Sequence, residues 1–194
     1  MNQSSNLGSN PHCGRIALIG PMGSGKTTVG QRLAAALGRP FVDLDAWIVA
    51  HAGLSIPEIF AKQGEAAFRR LELEALVSVA QDDALCGCVC ATGGGVVETA
   101  ACRAQLSRDW TVIELRATVA TLAAHLAGET AGRPMFRDAV SVERRILELY
   151  ERRKSLYDEV AQFRVSIDGR TPEEVVHVIA RHLQEGCDAA SMDA

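Results

Sequence analysis

Lysine is scarce in this chain of 194 residues: Lys26, Lys62 and Lys154 are the only lysines among 20 basic side chains, and the rest are arginine. Arginine suits planar two-point contacts to carboxylate and phosphate, although a GC-rich coding sequence would produce the same bias. The chain also lacks an apolar run of the roughly 18 residues that crosses a membrane, and its first fourteen residues, MNQSSNLGSNPHCG, lack the apolar core of about 7–15 residues that a secretory signal needs. A cytoplasmic protein without membrane contact is therefore expected. Positive charge is not in excess either. With 24 acidic side chains the formal net charge is −4, which argues against a general nucleic-acid binder. CxxC spacing is missing as well: Cys86-Gly-Cys-Val-Cys90 alternates like a buried strand and reads as small core residues rather than metal ligands, and six cysteines scattered through a chain of this length, with Cys13, Cys102 and Cys187 far apart, need not staple it.

What remains has the balance of an ordinary globular domain, 47% hydrophobic and 23% charged. Short runs rich in β-branched residues (15–19, 40–42, 88–92, 111–115 and 163–167) alternate with helical patterns, which implies an α/β sandwich of three layers around a five-stranded parallel sheet. Helix boundaries are marked by capping boxes at Ser55-Ile-Pro-Glu58 and Thr171-Pro-Glu-Glu174 and by Gly38 ending the helix that opens near Lys26. The second box starts a helix whose buried stripe is Val175, Val176, Ile179 and Leu183. Residues 1–14 read as a disordered leader, 15–185 as one domain, and 186–194 as a flexible tail. Within the domain, 128–138 is polar, contains glycine and lacks helical periodicity, which suits a mobile lid.

Directly after the first strand stands Gly20-Pro-Met-Gly-Ser-Gly-Lys26-Thr27, a complete GxxxxGK[ST] phosphate-binding loop in its strand-to-helix setting. Its glycines let successive N–H groups converge, the helix start adds a positive dipole end, Lys26 adds a point charge, and Thr27 offers a hydroxyl to Mg²⁺. No DxxG or NKxD string and no LSGGQ-like signature occurs. GTPases and ABC ATPases are thereby excluded, leaving kinases of small molecules or nucleotides.

Such an enzyme needs an acceptor site opposite the phosphates. Asp43-Leu-Asp45 ends the second strand, and if the chain stays extended both carboxylates share one side, one to serve hydrated Mg²⁺ and one to receive a hydroxyl proton. Gly93-Gly94-Gly95 follows the third strand, where missing side chains allow a ligand close to the backbone. Arg153 falls on the apolar stripe formed by Ile146, Leu149, Tyr150, Leu156 and Tyr157, so its guanidinium needs an anionic partner or must reach out to water.

The strings GPMGSGKTTVG, FVDLDAWI, SIPEIF, GEAAFRRLE, TGGGVV, GRPMF and ERRKSLY, in that order, resemble the shikimate kinase family of P-loop NTPases from about Arg15 to Leu183. Gluconate kinases share the first string but not the DLD, FRR and GGG set. The resemblance implies transfer of the γ-phosphoryl group of ATP to the 3-hydroxyl of shikimate, with Mg²⁺, on the route to chorismate and aromatic amino acids. It further implies that Lys26, Asp45 and Arg133 are catalytic, with Arg133 carried on the lid. Gly23, Ser24, Gly25, Lys26, Thr27, Thr28, Arg133 and Arg170 would hold ATP, and Thr27 and Asp43 would hold the metal. Asp45, Arg69, Gly94, Arg153, Phe60 and Phe68 would bind shikimate, both arginines on its carboxylate. A monomer is expected. Two positions depart from the family pattern: Leu126, with His125 beside it, stands where many members have an arginine over adenine, and Ser155 replaces a proline two residues after Arg153. A kinase of another small polyol acid such as gluconate and a non-catalytic nucleotide-binding module are the alternative readings.

Overall fold

The computed structural model describes residues 14–127 and 142–192. The five β-branched runs form β1 (Ile16–Ile19), β2 (Phe41–Asp43), β3 (Val89–Ala91), β4 (Thr111–Arg116) and β5 (Phe163–Ser166). All neighbouring strands are parallel, in the order β2-β3-β1-β4-β5. The central strand β1 carries four fully buried residues, because both faces of a parallel sheet are covered by helices.

The helices are α1 (Lys26–Leu37), α2 (Leu44–Ala52), α3 (Ile56–Gln63), α4 (Glu65–Gln81), α5 (Ala100–Asp109), α6 (Val119–Leu126), α7 (Val142–Val160) and α8 (Pro172–Met192). On one face Ile16 and Leu18 of β1 pack with Val29 and Leu33 of α1 and Val176 and Ile179 of α8. On the other, Ala17 and Ile19 join a core that includes Leu76 of α4, Leu106 of α5 and Tyr157 of α7. Each fully buried aliphatic side chain contributes about 1.5–3 kcal/mol of transfer free energy, so the two faces together make the sheet the rigid frame of the molecule. Cys88 and Cys90 lie in the second core, and burial raises both thiols, Cys88 to about 11. A third cluster, Leu122, Leu126 and Ile146, joins α6 to α7.

Local signals hold where they are short-range. Gly38 ends α1 in the left-handed conformation, its N–H bonded to Ala35. Ser55 and Glu58 bond reciprocally at the start of α3, as do Thr171 and Glu174 at the start of α8. The end of the chain differs from expectation: the backbone of α8 stays helical to Met192, past the flexible tail read from residue 186. Residues 184–192 are mostly Gln, Glu, Ala, Asp and Met, which favour or tolerate a helix. The leader up to residue 13 and the lid at 128–138 lie outside the described residues.

Candidate active site

Strand order assembles the site. In β2-β3-β1 the strand ends carrying Asp43, Gly93–Gly95 and the Gly20–Thr27 loop stand in one row. The chain leaves β1 toward β2 and later returns past it to β4, so the loop occupies the point where open α/β sheets place ligands. A cleft of about 930 Å³ opens there, lined by residues of that loop, Asp43, Asp45, Phe60, Phe68, Arg69, Gly94 and Arg153. It has room for two small ligands side by side.

At one end, Gly23 and Gly25 adopt positive φ angles of 81° and 75°, which turn the loop around the start of α1. Gly25 caps that helix without any side-chain bond, and the backbone amides at the start of a helix form an anion cradle. Lys26 is buried, and its ammonium donates to the carbonyls of Gly20 at 2.9 Å and Pro21 at 2.8 Å and to Ser24 Oγ at 3.4 Å. Its charge is thus held within the loop, at the place where phosphate would bring opposite charge.

The acidic pair departs from the extended reading. Asp43 is the last residue of β2 and the N-cap of α2, its Oδ1 accepting from Ala46 N at 3.1 Å, while Asp45 already belongs to the first helical turn. Helix geometry turns the two side chains apart, because aspartate is a strong N-cap and the helix it opens already includes Asp45. They consequently serve different neighbours. Asp43 Oδ2 accepts from Thr27 Oγ1 at 2.8 Å, whereas Asp45 lies beside Glu72, a Cβ on Gly93 falling 3.0 Å from a carboxylate oxygen of each.

The arginines meet at the other end. Arg153 is 4% exposed, so it stays on the buried stripe instead of reaching to water, and α7 runs unbroken through Ser155, whose N–H a proline would lack. Its Nε donates to Glu98 Oε1 at 2.6 Å. Arg69 of α4 donates through Nη1 to Glu72 Oε2 at 2.6 Å and through Nη2 to Glu65 Oε1 and Glu98 Oε2, each at 2.9 Å. Burial alone would lower the Arg69 pKa, but Glu72, Glu65 and Glu98 outweigh it and keep the guanidinium charged. At Gly95 a Cβ would sit 2.6 Å from Arg69 Nη1, so a side chain there would push the guanidinium out of its place. Gly94 accepts from Tyr157 Oη through its carbonyl at 2.5 Å. Phe60 of α3 and Phe68 of α4 pack with ring centroids 4.9 Å apart and wall this end.

Glu72 and Glu98 were not anticipated. Glu72 had a readable signal, since it falls on the buried stripe of α4 with Phe68, Leu76 and Val79, by the same spacing that singled out Arg153. Burial pushes its carboxyl up to about 7 against the opposing charge of Arg69, with Asp45 raising it further. Glu98 had none, because its partners lie 29 and 55 residues away. Among the remaining expected residues, Arg170 lines the cleft and donates to Ser166 O at 2.7 Å. Leu126 is buried beneath the loop, close to Gly23, and His125 Nδ1 donates to Gly23 O at 2.8 Å. Arg133 lies outside the described residues.

A phosphate cradle at the switch point of a parallel sheet, facing an acidic and arginine-rich end of the same cleft, defines a P-loop kinase of small molecules. The particular family follows from comparison. The shikimate kinase family model matches residues 22–184. A shikimate kinase of Enterococcus faecalis (strain ATCC 700802 / V583) is 40% identical over 88% of this chain and 98% of its own. The structure of a shikimate kinase from Acinetobacter baumannii in complex with shikimate superposes with a TM-score of 0.82 at 34% identity, covering 89% of this chain and 93% of that one. A gluconokinase from Sinorhizobium meliloti 1021, at 17% identity and a TM-score of 0.60, shares the fold alone. The chain belongs to the shikimate kinase family.

Proposed function

We propose that the chain transfers the γ-phosphoryl group of ATP to the 3-hydroxyl of shikimate, giving shikimate 3-phosphate and ADP. The observation that carries this reading is the pairing of two enclosed arginines, Arg69 beside Gly95 and Arg153 beside Gly94, across one cleft from the phosphate cradle. A desolvated pair of guanidinium groups selects a planar carboxylate. Asp45, at the same end, accepts the proton of the attacking hydroxyl, and Phe60 and Phe68 hold the ring so that this hydroxyl faces the phosphates. The amides of Gly23–Thr28 and the ammonium of Lys26 stabilise charge on the transferring group. Lys26 does so by exchanging loop carbonyls for phosphate oxygens. Arg133 is assigned the same task by the family pattern, and Arg170 the nucleotide side of the cleft.

Thr27 and Asp43 are oxygen donors in mutual contact at the cradle, which fits Mg²⁺. When bound there, the ion neutralises phosphate charge. No described helix is long and apolar enough to cross a membrane. An ATP-dependent reaction belongs where ATP is supplied, so we assign it to the cytoplasm, carried out by a monomer.

The test is a coupled ADP-release assay with shikimate, quinate and gluconate as acceptors. Shikimate should give the highest kcat/KM; a preference for gluconate would overturn the substrate assignment, and tight binding of ATP and shikimate without turnover would make the chain a binding module.

A further inference from the structure

We propose that Glu98 is a positioning residue for acceptor recognition: its carboxylate braces Arg69, Arg152 and Arg153 from behind and so fixes where their guanidinium groups stand toward the carboxylate of the acceptor. This rests on the acceptor assignment above and adds to it a residue that does not itself touch substrate.

The geometry has a front and a back. Arg69, Arg152 and Arg153 line the cleft, whereas Glu98 does not. Glu98 Oε1 takes a bond from Arg153 Nε at 2.6 Å and another from Arg152 Nη2, and Oε2 takes one from Arg69 Nη2 at 2.9 Å. Both oxygens of one carboxylate thus tie together three guanidinium groups from two helices. On the other side, Arg153 Nη1 points toward Gly94, 3.7 Å from where a Cβ on that residue would lie. The Nε edge of Arg153 is spent on the protein while an Nη group faces the acceptor end.

Local structure fixes the brace in advance. Glu98 ends a single 3₁₀ turn, Val96–Glu98, in which Glu98 N donates to Gly95 O at 3.0 Å and Val96 N to Gly93 O at 3.2 Å. Val96 and Val97 are fully buried, and Arg103 Nη1 from α5 holds Val97 O at 2.8 Å. The carboxylate is therefore placed by a packed turn rather than by its own flexible stem. Three converging cations would otherwise repel one another, and Glu98 is the only carboxylate ion-paired with Arg153 or Arg152 among the described residues. Burial would raise the Glu98 carboxyl, but its bonds to Arg153 and Arg152 and the charge of Arg69 hold it below the ordinary range.

Glu98→Gln and Glu98→Asp test the brace by steady-state kinetics and by calorimetric binding of shikimate and of its analogue with the carboxylate reduced to hydroxymethyl. E98Q should raise KM for shikimate about tenfold or more, as expected for losing charged hydrogen bonds at a recognition site, with kcat and KM for ATP within about twofold of wild type. E98D, which keeps the charge on a shorter stem, should fall between. Binding of the hydroxymethyl analogue should change little, so the preference for carboxylate collapses in E98Q. An unchanged or lowered KM for shikimate, or equal losses for both ligands, overturns the proposal. Should E98Q fail to fold, a wild-type KM in E98D does so instead. A wild-type enzyme inert toward shikimate would overturn the acceptor assignment, a different result from a working wild type with an unaltered E98Q.

Discussion

Glu72 is a carboxyl group with no exposure to water, 2.6 Å from one arginine and beside a second acid. Burial outweighs Arg69 and lifts its pKa from near 4.5 to about 7. Between those values the folded protein holds a proton that the unfolded chain has released, so stability falls as pH rises through that window and levels off above it. A shift of this size corresponds to about 3 kcal/mol. Glu72→Gln cannot titrate and should lack that slope: urea unfolding at pH 5 and pH 7.5, an interval that covers most but not all of the window, should show wild type losing about 2 kcal/mol more than the variant. Parallel pH profiles would mean that Arg69 keeps Glu72 ionised. Arg153 offers the complementary case of a buried cation at the proposed acceptor end. Arg153→Ala should cost about 2–5 kcal/mol, roughly thirtyfold or more in kcat/KM for shikimate, if it meets a desolvated carboxylate. Near-wild-type kinetics would remove Arg153 from the acceptor site.

Elements are tied to the site by backbone approach as much as by side chains. Gly20, between β1 and the cradle, has φ of 137°, and a Cβ there would lie 2.4 Å from Leu115 O of β4. Neither the conformation nor the strand can give way, so Gly20→Ala should destabilise by about 2–4 kcal/mol, lowering Tm by roughly 5–15 °C. Gly38→Ala is the control: its φ of 63° is strained for alanine but nothing lies within 4 Å, so it should cost only about 1–2 kcal/mol. Equal losses in a thermal melt would show that conformational strain, and not the approach of β4, sets the requirement at Gly20. The same distinction explains what sequence made legible. All five strands, the caps at Gly38, Ser55 and Thr171, and the cradle were readable because each is decided by neighbours a few residues away. Asp45 was misplaced because an N-cap at Asp43 competes with extension, and one helical residue turns a side chain by about 100°. Glu98 was invisible because strand order alone, in bringing the end of β3 beside α4 and α7, sets it among its arginines.

At the scale of the whole molecule, a net charge of −4 would by itself repel ATP and a carboxylate acceptor. The cleft reverses this locally, since six basic side chains, Lys26, Arg69, Arg145, Arg152, Arg153 and Arg170, line it with four acidic ones. Field lines focus into such a concavity, so attraction operates where the ligands dock while the rest of the surface stays acidic. The two ends of the cleft stand on one sheet, yet their contacts are separate: the cradle rests on β1 and α1, the arginines on α4 and α7. Ligands that bind only the folded state stabilise it by mass action, about 2.7 kcal/mol at a hundredfold excess over Kd. For a chain of this size that raises Tm by roughly 5–10 °C. Shikimate alone and Mg-ATP alone should each produce such a shift in a thermal melt of the wild type. In Arg153→Ala the shikimate shift should be lost or sharply reduced while the nucleotide shift remains, because the lost guanidinium lies at the proposed acceptor end and not at the cradle. Loss of both shifts together would show that the two ends are not independent, and that Arg153 supports the cradle through Gly94 as well as the acceptor.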